Sequence, residues 1–78
     1  MVKRRTINLN EIVKVNKFVR EMSTFESDID IISGRYICDS KSLMAVLSYN
    51  LSKPVDIEIH SDNEEEIKRF NEVLEEFR

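Results

Sequence analysis

Few side chains in this chain of 78 residues are suited to acid–base or nucleophilic chemistry. Catalysis near neutral pH usually relies on histidine, and the one histidine, His60, ends a stretch that alternates apolar and polar residues. We therefore expect it to lie at a strand end, facing solvent and without partners. The one cysteine, Cys38, has no second cysteine for a disulfide and is predicted to be a small buried hydrophobic residue. No catalytic residue is predicted.

Binding motifs for metals and nucleotide cofactors are also missing. A zinc site needs several Cys or His ligands, and the chain has one of each. Phosphate-binding loops use several glycines, whereas Gly34 is the only glycine of the chain. The six glutamates between residues 64 and 76 are typical of a solvated helix face. We expect no metal, no cofactor and no enzyme activity.

Length and composition favour one small globular domain in the cytoplasm. Hydrophobic residues make up 41% and charged residues 35% of the chain, and no apolar run is long enough for a signal peptide or a membrane span. A chain of this size buries only about 60% of its unfolded surface, so a deep substrate cleft is not expected. We expect the protein to work by contacting other proteins and not by chemistry of its own side chains.

Charge is divided unevenly along the chain. Residues 1–20 carry a net charge of +5, and residues 21–78 carry −8. The basic segment is either a solvated surface or a docking surface for an acidic partner, with Lys14 and Lys17 on the outer side of a helix. We do not expect nucleic acid as a partner, because the chain is acidic overall and shows no exposed aromatic stripe for base stacking.

Hydrophobic periodicity predicts the element order β-α-β-β-α-β-α. Strands are expected over residues 3–9, 27–33, 35–38 and 54–60, and helices over 11–22, in a short stretch around 43–47, and from just after Ser61 to the last apolar residues of the chain. The predicted N-cap of the first helix is Asn10, and that of the second is one of Asp39, Ser40 or Ser42. The predicted N-cap of the last helix is Ser61, in a capping box with Glu64. This order predicts a single α+β domain with a four-stranded antiparallel sheet and three helices on one face. Its predicted core consists of Ile7, Phe18, Val19, Ile29, Ile31, Ile37, Leu43, Leu47, Ile57, Ile59, Ile67, Phe70 and Leu74.

The run from Asp39 to Ser48, followed by the apolar strand 55–59, resembles the HPr family, the small phosphocarriers of the bacterial sugar phosphotransferase system. Within it, Lys41-Ser42-Leu43-Met44 is similar to the regulatory-serine signature of that family. The element order, the segment 18–29 and the acidic start of the last helix agree. The resemblance covers nearly the whole chain from Thr6 and implies an HPr-like open-faced sandwich.

The resemblance also implies a phosphoryl-accepting histidine, with an arginine and a proline, at the start of the first helix. The corresponding stretch here, residues 9–15, contains none of these three residue types. His60 cannot take over, because in an HPr-like sheet it would lie at the opposite edge from that helix start. The resemblance therefore indicates a variant that is no histidine phosphocarrier, as in the catabolite-repression homologue of HPr.

Ser42 is the remaining candidate site. The resemblance implies phosphorylation of Ser42 by an HPr kinase/phosphorylase and recognition by a transcriptional repressor, with Lys41, Leu43, Met44 and Leu47 as the neighbouring contact surface. A phosphate would lie beside free backbone N–H groups at a helix start. Two alternatives remain open: Ser42 or Ser40 only caps the helix, or the protein is an adaptor that keeps the fold without any phosphorylation.

Overall fold

The computed structural model describes residues 2–78 and contains four strands, three α-helices and a final 3-10 turn. In chain order these are β1 (Arg4–Ile7), α1 (Ile12–Met22), β2 (Asp28–Ser33), β3 (Tyr36–Asp39), α2 (Leu43–Leu47), β4 (Val55–His60), α3 (Glu64–Leu74) and the turn Glu75–Phe77. Gly34, with φ of +61°, allows the tight turn between β2 and β3. The predicted element order is confirmed.

The strands form one antiparallel sheet in the order β1-β4-β2-β3. β4 is central between β1 and β2, with Ile7 opposite Val55 and Ile31 opposite Ile57. The β2–β3 hairpin forms the other edge. The start of α1, which follows the end of β1, therefore lies at the end of the sheet where β4 begins.

Side chains alternate across this sheet. Ile29 and Ile31 of β2, and Ile57 and Ile59 of β4, are buried, whereas the residues between them are partly exposed on the opposite face. The buried residues of α1, α2 and α3 join the same core. One face of the sheet is thus covered by helices, which confirms the predicted α+β sandwich.

The core contains most of the predicted residues. Nine of the thirteen predicted residues are buried, and Val19 is partly buried and packs against them. The prediction is wrong for Ile37, Leu43 and Leu47, which are exposed. Ile37 lies on the outer face of edge strand β3 opposite Ile32, and the single turn of α2 is too short to bury more than Val46. The other buried hydrophobic residues are Leu9, Val15, Met22, Phe25, Val46, Val55 and Phe77.

Two of the predicted helix caps are also wrong. Asn10 does not cap α1, which begins after Glu11 with no side-chain cap. Ser61 does not cap α3, because its Oγ accepts the Asn63 amide at 3.1 Å. The cap is Asn63, whose side chain accepts the Glu65 and Glu66 amides at 2.9 and 3.2 Å. Ser61 lies two residues before the N-cap position, so its hydroxyl comes too early in the chain to cap the first turn of α3.

Ion pairs within the fold join basic residues of the first segment to acidic residues near the end of the chain. Bases of the first 20 residues meet acids of the last 25 in four pairs: Lys3–Asp62, Arg4–Asp56, Arg5–Glu75 and Lys17–Glu76. The Arg5 guanidinium, 2.7 Å from Glu75, lowers the pKa of that carboxyl. Such exposed pairs contribute little stability, but they leave fewer free bases for an acidic partner.

No helix within residues 2–78 is both long enough and apolar enough to cross a membrane.

Candidate functional site

Ser42 is the N-cap of α2 and is one of the three residues proposed for that position from the sequence. Its backbone is extended (φ −99°, ψ 107°), its Oγ accepts the Ala45 amide at 3.4 Å, and its carbonyl accepts the Val46 amide at 3.0 Å. An N-cap residue has this geometry. Ser42 is a partly exposed residue, and its hydroxyl has a structural role as the cap.

The preceding serine is in a different environment. Ser40 is fully buried, and both its amide (2.9 Å) and its Oγ (2.7 Å) donate to the Ile29 carbonyl. Ser40 is therefore not the cap of α2, and its hydroxyl is not accessible. Between the two serines, the Lys41 amide donates to Asp39 Oδ1 at 2.9 Å, and the Ser42 amide donates to the Asp39 carbonyl at 3.2 Å.

The three lysines predicted to contact partners all have partners inside the chain. Lys41 Nζ donates to the Phe25 carbonyl at 2.7 Å in a partly buried position. Lys14 Nζ donates to Asn10 Oδ1 at 3.4 Å. Lys17 pairs with Glu76, and this hydrogen bond raises the pKa of Lys17. A partner would have to compete with these contacts to use the ammonium groups.

The apolar residues around Ser42 do face outward. Met44 is 79% exposed, and Leu43 and Leu47 are exposed beside it, while Val46 points into the core. An exposed apolar patch of this kind is typical of a contact surface. The three side chains predicted as a partner surface thus lie together on the outer side of α2.

The start of α1 adds two exposed apolar residues that the sequence analysis did not select. Ile12 is 60% exposed and Val13 is 72% exposed, although the 3.6-residue spacing of Ile12 with Val15 and Phe18 predicts that Ile12 faces the core. The helices α1 and α2 pack against each other. Their position in the first turn of α1 could have indicated this exposure, because the buried side of the helix begins only at Val15.

His60 lies far from the start of α1. It is the last residue of β4, opposite Asp28, whereas the end of β1 pairs with Val55 at the first residue of β4. A six-residue strand spans about 20 Å. Contrary to the expectation that it has no partners, His60 Nε2 is 2.7 Å from Asp30 Oδ2 and 3.8 Å from Glu58 Oε1 on the open face of the sheet.

The end of α2 borders a shallow groove of about 500 Å³, lined by Ser33, Tyr36, Ser48, Tyr49 and Asn50. The Tyr49 hydroxyl donates to the Ile31 carbonyl at 3.3 Å, and burial raises the pKa of Tyr49. Cys38 is only partly buried in this region, not fully as predicted. Within residues 2–78, no group of three His, Cys, Asp or Glu side chains could hold a metal ion.

One family model matches nearly the whole chain. The family model described as the PTS HPr component phosphorylation site matches residues 6–78. A search of curated proteins found no significant match.

Several solved structures are similar. The crystal structure of HPr-C-His from Thermoanaerobacter tengcongensis has a TM-score of 0.74 and 26% sequence identity, with 95% of this chain and 92% of that chain covered. The phosphocarrier protein HPr from Bacillus anthracis strain Ames has a TM-score of 0.73 and 17% identity, with 96% and 95% covered. The histidine-containing phosphocarrier protein of a mycoplasma has a TM-score of 0.67 and 18% identity, with 94% and 92% covered. The two less identical structures support the fold alone.

Proposed function

The chain belongs to the HPr family of the phosphotransferase system, and on this premise we propose that it is a regulatory protein of carbon metabolism controlled by phosphorylation of Ser42, unable to act as a histidine phosphocarrier. Members of this family are phosphocarriers and not catalysts in their own right. The observation that carries the proposal is the placement of Ser42, a partly exposed cap of α2 among exposed apolar side chains. We place the protein in the cytoplasm.

The absence of phosphocarrier activity is supported by the start of α1. The residues there, Glu11, Ile12 and Val13, offer neither an imidazole to accept a phosphoryl group nor a guanidinium to pair with one. The sole histidine lies at the opposite end of the sheet. A carboxylate at position 11 would form an acyl phosphate, which needs activating groups that this surface does not provide.

Regulation at Ser42 is supported by accessibility and by what surrounds the hydroxyl. Ser40 is fully buried, so a kinase that approaches this loop finds Ser42 as the accessible serine. A phosphate there would add about two negative charges next to Leu43, Met44 and Leu47. A partner could read the combination of dianion and apolar surface. By resemblance to the family, the partners are an HPr kinase/phosphorylase and a transcriptional repressor.

A second candidate function is a protein-interaction adaptor that is not phosphorylated. The exposed apolar residues of α1 and α2 favour it, because they form a contact surface whether or not Ser42 carries a phosphate. Both functions use the same surface, and only the modification distinguishes them.

The test is incubation with HPr kinase/phosphorylase and ATP, followed by phosphosite mapping of the wild type, Ser42→Ala and Ser48→Ala. Ser48 is the matched control, since it is an exposed serine at the other end of α2. We expect phosphate on Ser42 in the wild type and in Ser48→Ala, and none in Ser42→Ala. An unmodified wild type, under conditions that fully modify HPr, would leave the adaptor function as the better account.

A further inference from the structure

Lys41 connects two loops that are distant in sequence. Its ammonium donates to the carbonyl of Phe25, 16 residues earlier, in the loop between α1 and β2. That loop is firmly attached to the body of the protein. The Phe25 ring is buried edge-on against Phe70 at 6.4 Å, the Phe25 amide donates to the Met22 carbonyl at 3.1 Å, and the Arg69 guanidinium lies 3.8 Å from the Phe25 ring centroid.

The other end of this connection is the residue next to Ser42. The loop before α2 is fixed on one side by Ser40, whose amide and hydroxyl both bond the Ile29 carbonyl of β2. It is fixed on the other by Lys41 at Phe25. Asp39 closes the loop internally through the amides of Lys41 and Ser42. The backbone that carries the Ser42 hydroxyl is thus attached to two separate parts of the core.

The choice of partner indicates what Lys41 does. Exposed lysines usually keep their ammonium in water or pair it with a carboxylate, and this chain has 15 acidic residues. Lys41 instead bonds a backbone carbonyl, which fixes geometry without neutralising charge. A hydrogen bond with a charged donor is also stronger than a neutral one, so it can hold a flexible side chain in place.

We propose that Lys41 is a positioning residue, which holds the Ser42 hydroxyl in place for phosphorylation by anchoring its loop to the Phe25 carbonyl and not by contacting the kinase. The proposal rests on the proposed function for the modification step, and the anchoring itself can be measured without any kinase. It assigns Lys41 a different role from the partner contact predicted from the sequence.

The first measurement is amide hydrogen exchange by NMR on Lys41→Met, Lys41→Arg and Lys53→Met. Methionine keeps an unbranched apolar stem but cannot donate, arginine can still reach a carbonyl, and Lys53 is an exposed lysine outside this loop. In Lys41→Met we expect about tenfold faster exchange at the Ser42 and Ala45 amides, because one charged hydrogen bond is lost. The Ile57 and Ile59 amides should not change. Lys41→Arg should remain near the wild type, as should Lys53→Met.

The second measurement is the kinetics of Ser42 phosphorylation by HPr kinase/phosphorylase on the same variants. A misplaced hydroxyl should lower kcat about tenfold with little change in KM, whereas a lost kinase contact would raise KM. We expect the first pattern for Lys41→Met and rescue by Lys41→Arg. Lys41→Gln serves as a second neutral variant if Lys41→Met does not fold.

Three results would overturn the proposal: unchanged exchange in Lys41→Met, a rise in KM alone, or an equal effect in Lys53→Met. If exchange accelerates but kcat does not fall, Lys41 is an anchor without a positioning role and the proposal is also wrong. If the wild type accepts no phosphate, the proposed function fails with it, and the exchange result then shows separately whether the anchor exists.

Discussion

The starts of α1 and α2 differ in how they are held. α1 begins after Glu11 with no side-chain cap, and its first two residues, Ile12 and Val13, are exposed. α2 begins at a capping serine in a loop bonded to Ile29 and Phe25. The longer helix buries three side chains, whereas α2, with five residues, buries only Val46, and a helix this short is not stable without contacts to the rest of the fold.

The same difference separates what the two starts can do. The start of α1 presents apolar side chains and one carboxylate, and no histidine. The start of α2 presents a hydroxyl in a loop that hydrogen-bonds to the carbonyls of Ile29 and Phe25.

The largest expected effect is on partner binding through α2. Met44→Asp places a charge in the centre of the exposed apolar surface and should weaken binding to HPr kinase/phosphorylase by about 2 kcal/mol, or roughly 30-fold. Titration calorimetry measures the affinity. Stability should hardly change, because Met44 is 79% exposed. Val13→Asp tests whether the start of α1 belongs to the same surface, and full binding by both variants would contradict this account of the surface.

The next effect concerns the buried serine that fixes the α2 loop. Ser40→Ala removes the hydroxyl bond to the Ile29 carbonyl and should lower the free energy of unfolding by about 1 kcal/mol in urea denaturation. Ser48→Ala is the control, since its Oγ also donates to a carbonyl, that of Ala45, but at the surface. Equal losses in both variants would show that burial of Ser40 adds nothing.

A smaller effect is expected from giving α1 the cap that it lacks. Glu11 has φ −134° and ψ 142°, the extended backbone of an N-cap, so Glu11→Ser can accept an amide of the first turn without strain. We expect a gain of about 0.5 kcal/mol in the free energy of unfolding. If Glu11→Ser destabilises the protein, the two helix starts differ by more than the missing cap.

The smallest effect is on stability in acid. The hydroxyl of Ser27 donates to Glu66 and lowers the pKa of that carboxyl, which ties α3 to the loop that Lys41 contacts. Thr6 and Arg4 likewise lower the pKa of Asp56. A carboxyl with a lowered folded pKa stabilises the fold above its unfolded value of about 4, and this stability is lost as pH falls through the folded pKa. Glu66→Gln should therefore reduce the difference in unfolding free energy between pH 6 and pH 3. An unchanged difference would contradict the role of Glu66 in stability at acid pH.

The sequence was sufficient for the parts of the fold that depend on local periodicity. The alternation in 55–60 predicted β4, and the stripe of Ile67, Phe70 and Leu74 predicted the buried side of α3. Ile37 was misjudged because alternation does not reveal which strand is at an edge or which face a helix covers. The cap of α3 was misplaced because Ser61 and Asn63 are both good caps, and only the backbone geometry distinguishes them.

The local geometry of the candidate site was predictable in part for the same reason. Ser42 follows from local cap chemistry and from the family signature, and both depend on neighbouring residues. The bond from Lys41 to Phe25 spans 16 residues, and the contact of His60 with Asp30 spans 30, so both depend on how strands and loops meet. Side chains with such distant partners cannot be assigned roles from spacing alone.

The most direct test compares the two helix starts on one sample with two phosphoryl donors. One aliquot receives HPr kinase/phosphorylase and ATP, and the other receives the first enzyme of the phosphotransferase system and phosphoenolpyruvate, with HPr as positive control in both. Intact mass and phosphosite mapping then report the product. We predict acid-stable phosphate on Ser42 in the first aliquot and no phosphate in the second, whereas acid-labile phosphate in the second aliquot, or an unmodified Ser42 in the first, would contradict the account.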